Sequence, residues 1–180
     1  MIKYYLTLVV ILFTSFSFAQ FTISGTFSPA EDYTYAFLYK SSPDGASYID
    51  RAQTDSDGNF SINLDSSATP GMYKIVYAIP PEDNNFDIIV NTKEDVHFNF
   101  SFEDGIAFTR SKENLLWANY VNAIQQINET ISNYYQSENK RKTDFKNIFN
   151  SLKETQQAFE ENAKGLLVES FIKGNKPYIP

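Results

Sequence analysis

Three oxygen-bearing side chains alternate in Asp55-Ser56-Asp57-Gly58-Asn59. A hard cation gathers several oxygen ligands at such spacing, so the stretch resembles the start of a calcium loop. The rest of that loop is missing. Ser66 stands at the twelfth position, where an acid would close it, and no helical pattern frames it. The same residues supply the chemistry of a tight turn, since glycine accepts positive φ and Asp and Asn bond their own backbone. A hairpin turn is the expected reading. His97, the sole histidine, sits between Asp95 and Asn99 on the polar phase of an alternating run. General-base work would need an orienting partner and a nucleophile beside it; the reading taken is a surface histidine. Glu31-Asp32, Glu82-Asp83, Glu103-Asp104 and Glu160-Glu161 are adjacent carboxylates. Acid–base or glycosidic chemistry uses such groups, but these fall in polar stretches or off the apolar faces and are read as solvated charge. Trp117 and Tyr134-Tyr135 have the residue types of interface anchors, although packing a helix onto a sheet is the expected role of Trp117. Asn59-Phe60-Ser61, Asn99-Phe100-Ser101 and Asn128-Glu129-Thr130 match the glycosylation acceptor pattern, which arises easily by chance in an Asn- and Ser-rich chain. The sequence contains no glycine-rich phosphate loop, nucleophile elbow or histidine-based metal spacing. Catalytic, cofactor-binding and metal-binding residues are therefore assigned to none, no cofactor is expected, and the chain is not read as an enzyme.

The elements that position these groups change character near residue 105. Before it the period is two, as half-buried strands require. Phe21, Ile23, Gly25 and Phe27 alternate with Thr22, Ser24 and Thr26, and Tyr35, Phe37 and Tyr39 alternate likewise. Phe60, Ile62 and Leu64, then Tyr73 to Ile79, then Phe86, Ile88 and Val90, then Val96 to Phe102 continue the series. Pro43-Asp44-Gly45, Asp57-Gly58-Asn59, Pro70-Gly71 and the polar run Pro80 to Asn85 separate them. With a weaker run from Tyr48 to Gln53, about seven strands are expected between Gln20 and Phe102, closing an antiparallel two-sheet sandwich.

After Ser111, a plausible N-cap, the period lengthens. Leu116, Tyr120, Ala123, Ile127, Ile131 and Tyr134 form one helical stripe, and Phe145, Phe149, Leu152, Phe159, Ala163 and Leu166 form a second. The polar link Gln136 to Lys142 folds them into an antiparallel hairpin. Gly165 bends or ends the second helix, and Gly174-Asn175 is a helix stop. The fold class is α+β. Residues 20–104 are expected to form the sandwich, 105–175 the helical hairpin, and 176–180 a linker-like end.

The N-terminus bears on location. Behind Lys3, Tyr4 to Phe13 is nearly all apolar yet too short to span a bilayer, and Ser17-Phe18-Ala19 offers small residues for a peptidase. Residues 1–19 are read as a signal peptide cleaved after Ala19, the alternative being a buried helix or an uncleaved anchor. The chain is expected in the periplasm or cell envelope, soluble and without stable membrane insertion. Gln20 rather than Cys follows the cleavage point, which excludes the lipoprotein anchor. The chain has no cysteine, so disulfides, thiol redox chemistry and thiolate zinc sites are excluded. The formal charge of −7 becomes −8 when Lys3 leaves, which disfavours nucleic acid as a partner.

Phe21-Thr22-Ile23-Ser24-Gly25 behind the signal, Asp57-Gly58-Asn59-Phe60 in mid-sandwich, Gly71-Met72-Tyr73 opening a strand, and Ser111-Lys112-Glu113-Asn114 leading into Leu115-Leu116-Trp117 occur in a familiar order. This order resembles the uncharacterised, DUF4369-like domain that precedes the thioredoxin-like domain in bacterial envelope thiol-disulfide oxidoreductases of the TlpA/ResA and AhpC/TSA type. The resemblance spans most of the chain after the signal. It implies a module that positions, docks or dimerises a thioredoxin-like redox domain or partner, possible homodimer included. The Cys-x-x-Cys pair of those relatives is absent, so no catalytic residue carries over. A stand-alone envelope protein binding a glycan or peptide through its many aromatics is the alternative.

Overall fold

The computed structural model describes residues 21–138 and 141–178. The expected signal segment lies outside these. Strict alternation builds β1 (Phe21–Ser28), whose Phe21, Ile23 and Phe27 are buried while Thr22, Ser24 and Thr26 face outward. The same rule builds β4 (Asn59–Leu64), which buries Phe60, Ile62 and Leu64, and β7 (Val96–Ser101), which buries Val96, Phe98 and Phe100. With β8 (Gly105–Arg110) they form one sheet in the order β4-β1-β7-β8. The second sheet runs β3-β2-β5-β6, from β2 (Tyr35–Ser42), β3 (Gly45–Gln53), β5 (Gly71–Val76) and β6 (Asn85–Val90).

The expected sandwich is present, with three differences. Among the described residues there are eight strands rather than about seven, because Gly105–Arg110 completes the first sheet. One ladder, β1 against β7, is parallel, since the N-terminal strand inserts between β4 and β7. In β2 the core-facing phase is Ala36 and Leu38, which turns Tyr35, Phe37 and Tyr39 to the outside.

Sixteen buried apolar residues fill the space between the sheets, among the described residues. Phe27, Tyr77 and Phe100 centre an aromatic cluster, in which the rings of Tyr33 and Phe60 each lie 4.9 Å from that of Phe27. Two glycines are dictated by this packing. A Cβ on Gly25 would lie 2.8 Å from the Phe98 ring. Gly58, at φ +80°, brings its backbone against Phe27, whose N–H donates to Gly58 O at 2.9 Å.

Among the described residues three α-helices follow: α1 (Lys112–Gln136), α2 (Lys142–Asn162) and α3 (Val168–Gly174). Ser111 caps α1 as expected, accepting from Asn114 N, in a backbone conformation (φ 102°) that few non-glycine residues adopt. α1 and α2 make the hairpin. α2 ends at Asn162, Gly165 (φ +75°) and Leu166 lie in the turn beyond it, and α3 turns back onto both helices. A second core joins Tyr120, Ala163, Val168 and Ile172 to Ile89 of β6, with Met72 and Trp117 packed against them. The helices therefore sit on the outer face of the second sheet, at its Met72–Ile89 end. None of the described residues lies in a helix long and apolar enough to cross a membrane.

Candidate functional site

Asp55 spends its carboxylate on its own turn. Its Oδ1 accepts from Asp57 N at 2.9 Å and Asn59 N at 2.8 Å, and its Oδ2 accepts from Asn59 Nδ2 at 3.2 Å. The backbone N–H of Asn59 does most to hold that carboxyl below its ordinary value of 3.8. Among the described residues no group of three or more His, Asp or Glu side chains is placed to hold a metal ion. His97 Nδ1 lies 2.9 Å from Ser24 Oγ across the parallel ladder. The pair sits on the open outer face of the first sheet, between the hydroxyl and amide side chains of Thr26, Ser61 and Asn99. Ser24 lies on a strand paired on both sides, and beside His97 the β7–β8 ladder is interrupted by a bulge at Thr109.

The carboxylate pairs are dispersed. Glu31-Asp32 lie in a short turn of 3-10 helix, Glu103-Asp104 in the β7–β8 turn, and Glu82-Asp83 in the β5–β6 loop. Glu160 accepts from Gln156 Nε2 at 2.9 Å and meets Lys176 at 3.7 Å. Trp117 packs in the helical core, 5.6 Å from the Tyr120 ring and 6.4 Å from Phe171. Tyr134 rests on Phe145, while Tyr135 is 54 % exposed.

Two constellations were not read from the sequence. The first is a polar joint between sandwich and helices. Asn114, fully buried, accepts from Ile89 N and donates to Ile89 O, both at 2.7 Å, and so takes the place of a neighbouring strand on the edge of β6. Glu113, also buried, accepts from Asn91 Nδ2 at 2.9 Å and from Val168 N at 2.6 Å, linking the residue that follows β6 to α1 and α3. Glu94 accepts from Ser111 Oγ at 2.8 Å and from the N–H groups of Lys112 and Glu113. Its negative charge complements the positive end of the α1 dipole.

The second is the half of the second sheet's outer face that the helices leave open. Tyr35, Phe37 and Tyr39 stand at alternate positions on β2, with the Tyr35 and Phe37 rings 5.8 Å apart. A β-bulge places the fourth ring. Leu38 is opposite Asp50, but Tyr39 is opposite Tyr48, so Ile49 is the extra residue. Without the bulge Ile49 would face Tyr39 and Tyr48 would point the other way. As built, the Tyr39 and Tyr48 rings meet edge to face at 5.7 Å, and Tyr48 is 53 % exposed. The Arg51 guanidinium lies over Tyr35, 5.2 Å from its centroid. On the inner side of the strip Lys74 bonds Asp87 at 2.9 Å and Asn85 Oδ1 at 2.6 Å. Asn85 in turn donates to Pro81 O and Glu82 O, fixing the β5–β6 loop as a wall. Tyr39, Lys74, Pro81, Glu82 and Asn85 line a cavity of 480 Å³ there. The one buried side-chain polar atom left unpaired among the described residues, Ser41 Oγ, is next along this phase of β2. Aromatic rings flanked by fixed charges and amides hold a ligand by stacking and orient it by hydrogen bonds.

No protein-family model matches the chain, and no curated protein does. Among solved structures, (S)-allantoin synthase is similar over 53 % of this chain and 45 % of its own, at 15 % identity and a TM-score of 0.37. A DUF3823 family protein from Parabacteroides merdae is similar over 46 % of this chain and 45 % of its own, at 17 % identity and a TM-score of 0.32. The chain thus spans less than half the length of either structure.

Proposed function

We propose that this chain is a non-catalytic binding module of the cell envelope that takes a glycan or peptide ligand on the Tyr35–Tyr48 face. The observation that carries the reading is the bulge at Ile49, which adds a fourth ring to the strip beside a cavity walled by Lys74, Glu82 and Asn85. A sugar ring stacks its C–H face on tyrosine and turns its hydroxyls to such flanking groups; a peptide uses the same rings as hot spots. The test is a two-dimensional NMR titration of the protein with soluble oligosaccharides and with an extended tyrosine-rich peptide. Shifts centred on Tyr39, Tyr48 and Lys74 are expected for one of the two. The double variant Tyr39→Ala, Tyr48→Ala should bind about tenfold more weakly, as two lost stacking contacts require. If neither probe shifts these residues, or if the variant binds equally well, the reading fails.

A second reading, that the module positions, docks or dimerises a thioredoxin-like redox domain or partner, rests on the resemblance of the ordered residue runs. It is favoured by one observation: Ser111-Lys112-Glu113-Asn114, one of those runs, is the joint that couples the helices to the sandwich. A thioredoxin-type protein added in trans should then broaden amide signals of this chain.

A further inference from the structure

The formal charge of the chain is −7, yet its charge is not evenly spread. Residues 141–153, the first half of α2, hold four cations, Arg141, Lys142, Lys146 and Lys153, against one acid, Asp144. Arg141 is bonded to that acid at 2.9 Å. The three lysines have no ion pair or hydrogen bond among the described residues, whereas Lys74, Lys164, Lys173 and Lys176 each pair with a carboxylate. They are also not scattered. Lys142, Lys146 and Lys153 share one side of the helix and border a groove of 600 Å³ floored by Phe145 and Phe149. Those two rings are 4.6 Å apart and only half-buried. The other lining residues, Thr143 and Asn150, are neutral, so no acid borders the groove.

We infer that this groove is a docking site for an acidic amphipathic segment of a partner protein, its carboxylates on the three lysines and its apolar side chains on Phe145 and Phe149. Charge complementarity identifies the occupant. Two acids lie close by in sequence, but Asp144 is paired with Arg141 and neither it nor Glu154 lines the groove. Charges more than about 8 Å away are largely screened at physiological salt, so the unpaired lysines dominate at the groove itself. Shape and spacing point the same way. Lys142 and Lys153 are separated by eleven residues of one helix, roughly 16 Å of axial rise. An extended or helical segment follows such a line. A bilayer is the competing occupant of such a lysine-bordered apolar stripe, and the vesicle arm of the experiment separates the two. This site is separate from the tyrosine face of the sandwich, and its test does not depend on that face.

The experiment is fluorescence anisotropy of a labelled peptide of alternating glutamate and leucine pairs, with the intact protein and with the triple variant Lys142→Gln, Lys146→Gln, Lys153→Gln. All three lysines are exposed, so the variant should keep the wild-type thermal midpoint, which circular dichroism checks. The wild type should bind the peptide, and the variant should bind it about tenfold more weakly, the loss expected for three exposed ion pairs. Lys93→Gln, which removes an unpaired lysine elsewhere, should leave the affinity unchanged. Raised salt should weaken the wild type and close its gap to the variant. Absence of peptide binding, equal affinity of wild type and triple variant, or capture of phosphatidylglycerol vesicles without binding of the peptide would each overturn the proposal.

Discussion

Asn114 decides how the helices meet the sheet. Its amide satisfies both backbone groups of Ile89, and no other described side chain does so. Asn114→Ala would leave a buried N–H and a buried C=O without partners. At about 1–3 kcal/mol for each unsatisfied group, the variant should lose about 3 kcal/mol of unfolding free energy. Urea unfolding measures this; a loss under about 1 kcal/mol would mean that water replaces the amide. The four residues Ser111 to Asn114 stand out in the sequence as a helix start, and Ser111 caps it. Their targets at Ile89, Asn91 and Val168 do not, because a side chain's long-range partner leaves no mark in local periodicity. Asp55 illustrates the converse. Its turn is legible because all its partners lie within four residues. Its folded-state carboxyl is held below 3.8, so the stability that the charged form adds is present above that value and is lost as the pH falls through the lowered one. Asp55→Asn should therefore melt below the wild type at neutral pH, and the two melting curves should converge as the pH drops from 3.8 downward. A gap that persists unchanged in acid would assign the effect to geometry rather than charge.

Elements differ in how plainly they announce themselves. β1, β4 and β7 bury one full phase of side chains and read correctly at once. β8 alternates only briefly, Ile106 and Phe108 against Ala107 and Thr109, is half-buried at the sheet edge and adjoins the helical stretch, so periodicity does not single it out. β2 alternates strongly, but with small and branched residues inward and rings outward; periodicity fixes two faces without saying which is buried. The bulge at Ile49 is invisible for the same reason. Both helical stripes are legible, although the second runs past the end of α2 at Asn162 into the following turn, and the structure buries them unevenly. Near the sandwich Tyr120, Leu152, Gln156 and Ala163 are enclosed. Toward the tip Ile127, Ile131, Tyr134, Phe145, Ile148 and Phe149 are only half-buried, since two helices lack the third layer found at the base. Apolar burial sets local opening free energy. Amides of Ile127–Ser132 and Phe145–Phe149 should then exchange with deuterium well ahead of those of Leu116–Tyr120 and Gln156–Phe159. Uniform protection along both helices would contradict this picture.

The molecule as a whole has two cores of unequal standing. Among the described residues, sixteen buried apolar side chains lie between the sheets, while the helical cluster has five, and one of these, Ile89, belongs to the sandwich. The helices borrow their footing: Ile89 and Met72 from the sheet, Glu94 at the start of α1, and Ile89's backbone for Asn114. The sandwich borrows little in return. Ile88 and Val90 alternate with Ile89 and face the other way, into the larger core. A charge at Ile89 should consequently separate the two parts. Ile89→Glu would bury an unpaired carboxylate against Tyr120, Val168 and Ile172, a change costing several kcal/mol, more than so small a cluster can absorb. The helices should then lose their packing while Phe27, Phe60, Phe98 and their neighbours stay enclosed. Circular dichroism should show much of the helical signal gone, and NMR should keep dispersed resonances for the β1, β4 and β7 core. Loss of both together would mean that the sandwich also depends on its helical layer, and that the polar joint at Asn114 couples two mutually dependent halves.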